Sequence, residues 1–503
     1  MITTEPSDRD LDVLIVGAGL SGIGIGRQLR EDLPTKSFLI LESRHASGGT
    51  WDLFRFPGIR SDSDMYTLGY EFEPWVGEES IASGDQILGY LRQTASRHGL
   101  DDHIRYRKRV ISAAWSSPDA RWTVEVQDTG TGERMTFTAH WLFCATGYFR
   151  YDEGHTPPFE GQDRFRGRII HPQHWPEDLD HRGQQIVVIG SGSTAVTLVP
   201  ALAEEAGHVT MVQRTPSYVL PVPLRDRTAR RLRRWFGERR GSSLTRRLNI
   251  VRQRATWLLS RRFPATTRRL IRRISTDQLP RGFAVDEHFN PPYDPWDQRL
   301  CLAPDADLFR TIGRGDVSVV TDAVERFTEA GVQLLSGREL PADIVVTATG
   351  LNLQLLGGIR IHVDGRLVSP AGTVVYRGLM LGGVPNLAFA LGYANASWTL
   401  KIGLVGEYFS RLLALMEEKS YDTACAVPDP TMATRPLIDL DSGYVRRSAA
   451  ELPKQGDVGP WRASTGYRED VRLLRRGPVV DRYLHLSGHQ HRPETDYAPD
   501  RDG

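Results

Sequence analysis

Residues 12–26 read DVLIVGAGLSGIGIG, and this segment is the most informative about the fold. After Asp12, the next four residues are apolar and rich in β-branched side chains, which is typical of a short buried strand. Gly17, Gly19 and Gly22 follow in the G-x-G-x-x-G spacing, and a helical pattern comes next. Between a strand and a helix, such glycines make a tight turn and let both a pyrophosphate and the helix approach the backbone closely. The segment therefore predicts a Rossmann-like dinucleotide-binding unit.

The residue after the next strand indicates which dinucleotide this unit prefers. Residues 38–41 (FLIL) form the predicted second strand, and Glu42 follows it, 25 residues after Gly17. A carboxylate at this position accepts hydrogen bonds from ribose hydroxyls. The first unit is therefore expected to bind a dinucleotide with an unmodified ribose, which is FAD or NAD.

The same arrangement recurs in the middle of the chain. Residues 185–196 read QIVVIGSGSTAV, a second buried strand with Gly190, Gly192 and Ala195 in the G-x-G-x-x-A spacing. Repetition of the whole strand–turn–helix pattern is more specific than one glycine triplet. It predicts a second dinucleotide-binding unit.

The second unit carries the opposite charge at the equivalent strand end. Its second strand, residues 209–213, is followed by Arg214, 24 residues after Gly190. Arginine can pair bidentately with a 2′-phosphate, which a carboxylate would repel. The second unit is therefore predicted to bind NADPH, with Thr215 as a further phosphate donor; a surface arginine at a strand end is the alternative. FAD is then assigned to the first unit.

Two further strand-to-turn segments indicate how the units are connected. Residues 142–147 and 344–350 both end in Ala-Thr-Gly, before and after the second unit. The predicted fold class is α/β, with two Rossmann-like domains and the NADPH domain inserted into a discontinuous FAD domain. The predicted boundaries are 1–150 and 346–480 for the FAD domain, 151–220 and 290–345 for the NADPH domain, 221–289 for a helical insert, and 481–503 for a disordered tail.

Composition excludes several classes of protein. The 503 residues suffice for about three domains, and 40% hydrophobic with 25% charged residues is typical of a soluble globular protein. Lys and Arg number 63 against 62 Asp and Glu, so no global field favours a nucleic-acid partner. Residues 1–10 lack the apolar region of a secretory signal. We therefore expect a cytoplasmic protein.

The cysteines narrow the choice of electron acceptor. Cys144, Cys301 and Cys425 are each more than a hundred residues apart, whereas flavin disulfide reductases need a pair close in sequence. They suit a reducing compartment and provide no cysteine-rich metal site. The histidines of the tail (His485, His489 and His491) lack carboxylate or cysteine partners, so no metal site is predicted. Dioxygen is the acceptor that requires only flavin, NADPH and an electropositive pocket.

The predicted insert contains a strongly basic segment. Residues 225–273 hold 18 arginines and only two acidic residues, with apolar residues between the arginine pairs. The pattern predicts helices interrupted at Gly237, at residues 241–243 and at Pro264. Such helices can present a solvated face or can make peripheral contact with an anionic membrane. Both interpretations stay open here, and no recognisable reading module supports nucleic-acid binding.

Two longer patterns resemble a known family. Residues 165–176 (FRGRIIHPQHWP) match F-x-G-x-x-x-H-x-x-x-W-P through Phe165, Gly167, His171 and Trp175, which resembles the fingerprint of type I Baeyer–Villiger monooxygenases. The second pattern of that family is also present, as GGTW at 48–51, FPG at 56–58, and Asp62. Segments that resemble its mycobacterial members are 51–67, 171–180, 296–302 and 394–401. The resemblance extends from Leu11 to about Pro478.

The resemblance implies an activity. It implies an oxidoreductase that binds FAD, consumes NADPH and dioxygen, and inserts oxygen next to a ketone carbonyl through a flavin peroxide, giving an ester or lactone. The expected substrate is a small apolar ketone or thioether. S- or N-oxygenation of thioethers, thioamides or amines is the enzymatic alternative. A flavoprotein redox sensor that only releases hydrogen peroxide is the alternative from another class.

The resemblance also implies roles for individual residues. Arg299 would be the catalytic cation, because its guanidinium stays charged and can stabilise an oxyanion, and Asp62 would orient it. The predicted FAD-binding residues are Gly17, Gly19, Ser21, Gly22, Glu42, Thr50, Trp51, Asp52, Leu53, Asp62 and Val110. The predicted NADP-binding residues are Arg60, Ser61, Gly190, Ser191, Gly192, Ser193, Thr194, Ala195, Val196, Arg214 and Thr215.

Three further expectations concern particular positions. His171 and Trp175 are expected to have a structural or hinge role rather than acid–base work. Asn395 and Trp398 are expected to line the substrate pocket, with burial of the indole in the core as the alternative. Many relatives carry Lys before the catalytic Arg, but Gln298 stands here, which predicts a weaker preference for NADPH over NADH.

Overall fold

The computed structural model describes residues 10–393, 395–464 and 466–488. The strands are β1 Asp10–Val16, β2 Phe38–Leu41, β3 Ile104–Arg105, β4 Lys108–Ser116, β5 Arg121–Asp128, β6 Arg134–Cys144, β7 Phe149–Gly154, β8 Arg168–Ile170, β9 Gln185–Ile189, β10 His208–Gln213, β11 Val219–Val222, β12 Cys301–Pro304, β13 Val317–Thr321, β14 Val324–Phe327, β15 Gly331–Leu334, β16 Glu339–Pro341, β17 Ile344–Thr347, β18 Leu351–Leu353, β19 Arg360–Val363, β20 Arg366–Leu367, β21 Val375–Tyr376, β22 Met380–Leu381, β23 Leu387–Phe389, β24 Thr423–Ala426, β25 Thr434–Pro436, β26 Lys454–Gly456 and β27 Leu484–Ser487.

Helices lie between the strands and in the predicted insert. They are α1 Leu20–Asp32, α2 Thr50–Leu53, α3 Met65–Leu68, α4 Gly84–Arg97, α5 Ser193–Leu202, α6 Arg227–Phe236, α7 Glu238–Arg262, α8 Pro264–Gln278, α9 Val285–His288, α10 Asp307–Arg314, α11 Trp398–Glu418, α12 Gly443–Ser448 and α13 Tyr467–Asp470. Among the helices of the described residues, none combines the length and the apolar character needed to cross a bilayer.

The first glycine loop belongs to the larger of two main sheets. Its central path runs β20-β19-β4-β5-β6-β1-β2-β3, and β1 pairs in parallel with both β2 and β6. Side chains of β1 are buried on both faces: Val13 and Ile15 pack in one hydrophobic cluster, Leu14 and Val16 in another. Burial on both faces explains why this strand is a continuous apolar run rather than an alternating pattern.

The second glycine loop belongs to a five-stranded parallel sheet of order β13-β10-β9-β17-β8. Its strands come from both sides of the helical insert, and the chain then returns to the larger sheet through β19, which pairs with β4. The two segments that connect the sheets, β7 and β18, pair with each other antiparallel. The predicted α/β class with two Rossmann-like domains, one inserted into the other, is confirmed.

The arginine-rich segment forms three helices, α6, α7 and α8. The predicted interruptions at Gly237 and Pro264 occur, but the one at residues 241–243 does not, because these residues lie inside α7. Gly241 serves packing instead: a Cβ there would lie 2.5 Å from the Arg233 Cα. The glycine therefore lets the backbones of α6 and α7 approach closely.

The prediction of a disordered tail from Asp481 is wrong for residues 481–488. Leu484–Ser487 forms β27, which pairs antiparallel with β24, and the Leu484 side chain is buried. A strand partner from residues 423–426 satisfies the backbone of this polar segment, a long-range contact that composition does not reveal. The rest of the predicted tail, including His489 and His491, lies outside the described residues.

Candidate functional site

A cavity of about 2120 Å³ is lined by residues from both glycine loops. Pockets for a single small molecule usually measure about 300–1,000 Å³, so this cavity has room for two dinucleotides and a substrate. The predicted residues that line it are Gly17, Gly19, Ser21, Glu42, Thr50, Trp51, Leu53, Arg60, Ser61, Asp62, Val110, Gly190, Ser191, Gly192, Ser193, Thr194, Arg214, Thr215, Arg299, Asn395 and Trp398.

Two helices present bare N-termini next to the glycine loops. Helix α1 starts after Gly19 and helix α5 after Gly192, and within the described residues no side chain caps either helix. Neither first turn carries an acidic residue. Free backbone N–H groups and the positive end of the helix dipole make such termini binding sites for phosphate groups. Both ends therefore fit the pyrophosphate of a dinucleotide.

Close contacts with the backbone explain why Gly17 and Gly190 are glycines. Gly17 has φ +103°, and a Cβ on it would lie 2.8 Å from the Ala145 carbonyl oxygen of the first Ala-Thr-Gly turn. Gly190 is in the same situation: its φ is +146°, and a Cβ on it would lie 2.3 Å from the Ala348 carbonyl oxygen of the second Ala-Thr-Gly turn. Each Ala-Thr-Gly turn thus packs directly against one glycine loop. The same backbone contact therefore recurs in both dinucleotide-binding units.

Gly22 and Gly192 differ in what surrounds them. A Cβ at Gly22 would lie 1.8 Å from the Gly17 carbonyl oxygen, so glycine there permits the close contact between helix and loop. A Cβ at Gly192 would meet no atom of the described residues within 4 Å. Gly192 therefore faces open cavity space, which fits a role in contact with a ligand.

Glu42 supports the first loop from the end of β2. Its carboxylate accepts hydrogen bonds from the backbone N–H of Ala18 at 2.8 Å and of Arg44 at 2.9 Å. Burial raises the pKa of Glu42 above its ordinary value, and these hydrogen bonds oppose the shift. The carboxylate both lines the cavity and holds the loop, so the structure agrees with the expected position of a ribose acceptor.

Arg214 lies at the equivalent position of the second unit. It follows β10, is exposed, and forms no ion pair with any described residue. Next to it, Ser191 donates a hydrogen bond of 2.8 Å to the Thr215 carbonyl, which fixes the glycine loop against the strand end. An unpaired guanidinium at this place is available for a phosphate.

Arg299 and Asp62 meet across 237 residues of sequence. A guanidinium nitrogen of Arg299 donates to an Asp62 carboxylate oxygen at 2.5 Å, and the two side chains are 32% and 45% exposed. The Asp62 charge raises the pKa of Arg299 above its already high ordinary value. The predicted pair thus exists, and it places an oriented, permanently positive group at the cavity wall.

Aromatic side chains surround this pair. Tyr148 and Tyr444 both interact electrostatically with Arg299, and burial raises the pKa of each phenol above its ordinary value. Tyr148 stacks on Trp398 with ring centroids 5.2 Å apart. The Trp398 indole N–H donates a 2.8 Å hydrogen bond to the Ser21 hydroxyl of the first glycine loop. Trp398 also lines the cavity, and its hydrogen bond ties the start of α11 to the first turn of α1.

Asp52 is predicted to bind FAD but does not line the cavity. It is buried, and its carboxylate forms ion pairs with Arg44 at 2.6 Å, Arg55 at 3.1 Å and Arg92 at 2.7 Å. The family pattern identifies the position but not the direction of the side chain. Its described contact with the cavity is indirect, through Arg44, which does line it.

Other predicted residues also lie behind the cavity surface. Gly22, Ala195 and Val196 belong to the helix contacts beneath the loops. The fingerprint residues away from the lining are Phe165, Gly167, His171 and Trp175. Phe165 is buried beside the five-stranded sheet, and a Cβ on Gly167 would lie 2.2 Å from the Asp343 carbonyl. Their positions agree with a structural role.

His171 contacts both of the segments that connect the two sheets. Its Nε2 lies 3.1 Å from the Gly350 carbonyl oxygen, and its Nδ1 accepts a hydrogen bond from the Gln173 N–H at 3.2 Å. The ring also packs against Gly154, where a Cβ would lie 1.9 Å away. Nδ1 as acceptor and Nε2 as donor describe a neutral imidazole that holds the junction.

We expect His171 to make the protein less stable in mild acid. Burial lowers the pKa of His171 below the ordinary 6.5, so its contribution is complete above that pH and is lost as the pH falls through and below it. Thermal unfolding between about pH 8 and about pH 5 should show a smaller loss of Tm in His171→Gln than in the natural protein. Identical pH dependence in the two would contradict this role.

Several cavity residues were not predicted. They are Arg44, Tyr148, Tyr151, Tyr444 and, from helix α7 of the insert, Asn249, Arg252, Gln253 and Thr256. The Tyr151 hydroxyl lies 3.0 Å from that of Thr50, and burial raises the pKa of Tyr151 to about 12. One signal was available for Tyr148, because it directly follows the first Ala-Thr-Gly turn.

Comparison with known proteins assigns the family. The flavin-binding monooxygenase-like family model matches residues 79–355, and a model for NAD(P)-binding Rossmann-like domains matches residues 15–73. The FAD-containing monooxygenase EthA of Mycobacterium tuberculosis is 52% identical over 479 residues, which cover 95% of this chain and 98% of that protein. The chain belongs to the flavin-binding monooxygenase-like family. It is a flavoprotein monooxygenase, as the sequence patterns predicted.

Other known proteins are similar to this flavoprotein monooxygenase, one in sequence and two in fold. A probable FAD-binding monooxygenase, AlmA, of an Acinetobacter species is 43% identical and covers 96% of this chain and 98% of its own. Among solved structures, an oxidized steroid monooxygenase bound to NADP has a TM-score of 0.73 at 23% identity, covering 95% of this chain and 100% of that one. A cyclohexanone monooxygenase with bound ε-caprolactone has a TM-score of 0.72 at 20% identity, with the same coverage.

Proposed function

We propose that this flavoprotein is a Baeyer–Villiger monooxygenase, which uses NADPH and dioxygen to convert a small apolar ketone to an ester or lactone. The observation that carries the proposal is the Arg299–Asp62 pair at the cavity wall. A protein that only senses redox state has no need for an oriented cation of this kind. The relatives named above as steroid and cyclohexanone monooxygenases support the same reaction class.

The first glycine loop would hold FAD and the second NADPH. Bound FAD, once reduced by NADPH, supplies the activation of dioxygen. The bare N-termini of α1 and α5 would receive the two pyrophosphates. Glu42 would accept hydrogen bonds from a ribose of FAD, and Arg214 would pair with the 2′-phosphate of NADPH.

Arg299 would act on the charge that develops during oxygen insertion. As oxygen adds to the ketone carbonyl, negative charge accumulates on the carbonyl oxygen, and a preorganised guanidinium stabilises it without reorganisation. Asp62 keeps the guanidinium oriented through the 2.5 Å hydrogen bond. The aromatic rings of Tyr148 and Trp398 would exclude water and favour an apolar substrate beside the charge.

Two features support more specific assignments. The three cysteines are free thiols, which supports a cytoplasmic location. The aromatic wall next to Arg299 supports a ketone or thioether with an apolar body over a charged substrate.

A probe that carries both a ketone and a thioether tests the reaction class. The protein with FAD, NADPH and air is expected to form the ester, identified by mass spectrometry, while NADPH loss and peroxide release are followed. Sulfoxide as the only product would replace the proposal with heteroatom oxygenation. Release of all reducing equivalents as hydrogen peroxide, across a panel of ketones, would contradict a monooxygenase role.

Gln298 predicts a modest preference for NADPH. Since Gln298 is neutral, Arg214 is expected to carry most of the discrimination, and Arg214→Gln should raise the KM for NADPH about 10- to 100-fold with little change for NADH. Gln298→Lys should act oppositely and increase the ratio of kcat/KM for NADPH over NADH. Unchanged ratios in both variants, measured from NAD(P)H oxidation, would contradict this assignment.

A further inference from the structure

Helix α7 of the insert buries a polar side, unlike an ordinary surface helix. Its buried residues are Gly241, Ser242, Thr245, Arg246, Asn249 and Ser260, all small or polar. Arg246 explains part of this, because it donates hydrogen bonds to three backbone carbonyls at the end of α3, the shortest 2.6 Å to Gly69. A surface helix normally buries its apolar stripe. Here the polar side faces the protein.

The apolar side of α7 faces outward. Leu244, Val251 and Leu258 are all exposed, with Val251 at 49% and Leu258 at 46%. They are seven residues apart, which is close to two helical turns, so they form one stripe along the helix. The described residues leave 36% of Leu244 exposed, and nearly half of Val251 and of Leu258.

Further exposed apolar residues lie on α6, α7 and α8 of the same insert. Eight of the fourteen exposed large apolar side chains in the described part of the chain belong to the insert. They are Trp235, Phe236, Leu244, Val251, Leu258, Leu259, Phe263 and Leu270, with Trp235 the most exposed at 71%. We call these eight residues the insert face. Their concentration in one segment distinguishes them from the scattered exposed apolar residues of an ordinary surface.

Arginines flank the stripe at regular intervals. Arg240, Arg247 and Arg254 repeat with the same seven-residue spacing, four positions before Leu244, Val251 and Leu258. Residues four apart are neighbours on a helix surface, and all three guanidinium groups belong to exposed residues. Arg240 and Arg247 form no ion pair with any described residue. Uncompensated positive charge therefore lies directly beside the apolar residues of the insert face.

We propose that the insert face docks onto an anionic phospholipid membrane. Interfacial helices use this combination: apolar and aromatic side chains enter the acyl boundary while arginines bind anionic head groups. The charge selects this partner, because a second copy would bring the same arginines face to face and repel. The contact is peripheral, through a single exposed surface.

The opposite side of α7 gives the docking a consequence for the substrate. Asn249, Arg252, Gln253 and Thr256 line the cavity that contains Arg299. One helix thus separates the proposed membrane surface from the reaction cavity. If the proposed function holds, an apolar substrate dissolved in the bilayer would have only a short path, around this helix, to the reaction cavity. The docking itself does not depend on that function.

Co-flotation of the FAD-loaded protein with vesicles tests the docking without any measurement of turnover. At low salt the protein is expected to float with mixed phosphatidylcholine–phosphatidylglycerol vesicles and to stay unbound with phosphatidylcholine alone. Arg240→Gln with Arg247→Gln should weaken binding about 30-fold, because each basic side chain near an anionic surface contributes a factor of about 5. Val251→Ser with Leu258→Ser should weaken it at least about tenfold.

Matched substitutions on other surfaces serve as controls. Leu335→Ser with Leu367→Ser removes two exposed leucines, and Arg338→Gln with Arg366→Gln removes two exposed arginines. Both controls should bind vesicles like the natural protein, and retained FAD absorbance in every variant excludes unfolding. Absence of co-flotation at low salt, or equal losses in variants and controls, would overturn the proposal. So would concentration-dependent self-association that the insert-face variants abolish while vesicle binding stays unchanged.

Discussion

Arg299→Ala is expected to lower ester formation by at least about 100-fold while NADPH oxidation continues. Removing one preorganised donor from an oxyanion site typically costs a factor of about 100 to 1,000. The reducing equivalents should then appear as hydrogen peroxide, because the cofactor sites stay intact while the charge that assists oxygen insertion is missing. Product analysis and peroxide detection on the same reaction measure both quantities.

Two related variants sharpen this expectation. Arg299→Lys keeps the charge but loses the planar fork that meets Asp62, so it should recover only part of the activity. Arg366→Ala removes an exposed arginine from the edge strand β20 and should leave ester formation unchanged. Ester formation by Arg299→Ala at the natural rate would show that the guanidinium has no role in the chemistry.

Gly192→Ala and Gly22→Ala should fail in different ways. The new methyl group at position 192 meets open cavity space, so the protein should fold and retain FAD but bind NADPH at least about tenfold more weakly, because the methyl group obstructs the pyrophosphate. At position 22 the methyl group would lie 1.8 Å from the Gly17 carbonyl. That overlap forces helix and loop apart and should abolish FAD binding.

FAD content after purification and the KM for NADPH separate the two outcomes. Gly192→Ala should show natural FAD content with an increased KM, and Gly22→Ala should yield apoprotein or aggregate. Loss of FAD from Gly192→Ala, with an unchanged KM in whatever holoenzyme remains, would contradict the assignment of NADPH to the second loop.

The parts of the fold that follow from local sequence were predictable. The glycine loops, the strands before them and the charged residues at the next strand ends lie within about 25 residues of one another. Glycine chemistry and strand length fix their geometry, so Glu42 and Arg214 lie where the spacing predicts. The Arg299–Asp62 pair spans 237 residues, and only the family resemblance made it predictable.

The errors and omissions concern contacts that no local pattern encodes. The family pattern identifies Asp52, but ion pairs with three arginines from different segments set the orientation of its side chain. Tyr148 and Tyr444 meet near Arg299 only after both halves of the FAD domain have assembled. The polar inner side of α7 is invisible in a sequence where arginines occur on every side of the helix. In each of these cases, contacts with segments that are distant in sequence determine how the side chains are oriented and buried.

Labelled dioxygen shows whether the protein inserts an oxygen atom from dioxygen into a ketone. The protein with FAD, NADPH, a cyclic ketone and ¹⁸O₂ would be analysed by mass spectrometry for the lactone and the position of its label. We expect one ¹⁸O atom per lactone, in the ring oxygen that is inserted between the carbonyl carbon and its neighbour. Unlabelled lactone, or unchanged ketone with all the label in hydrogen peroxide across a panel of ketones, would contradict it.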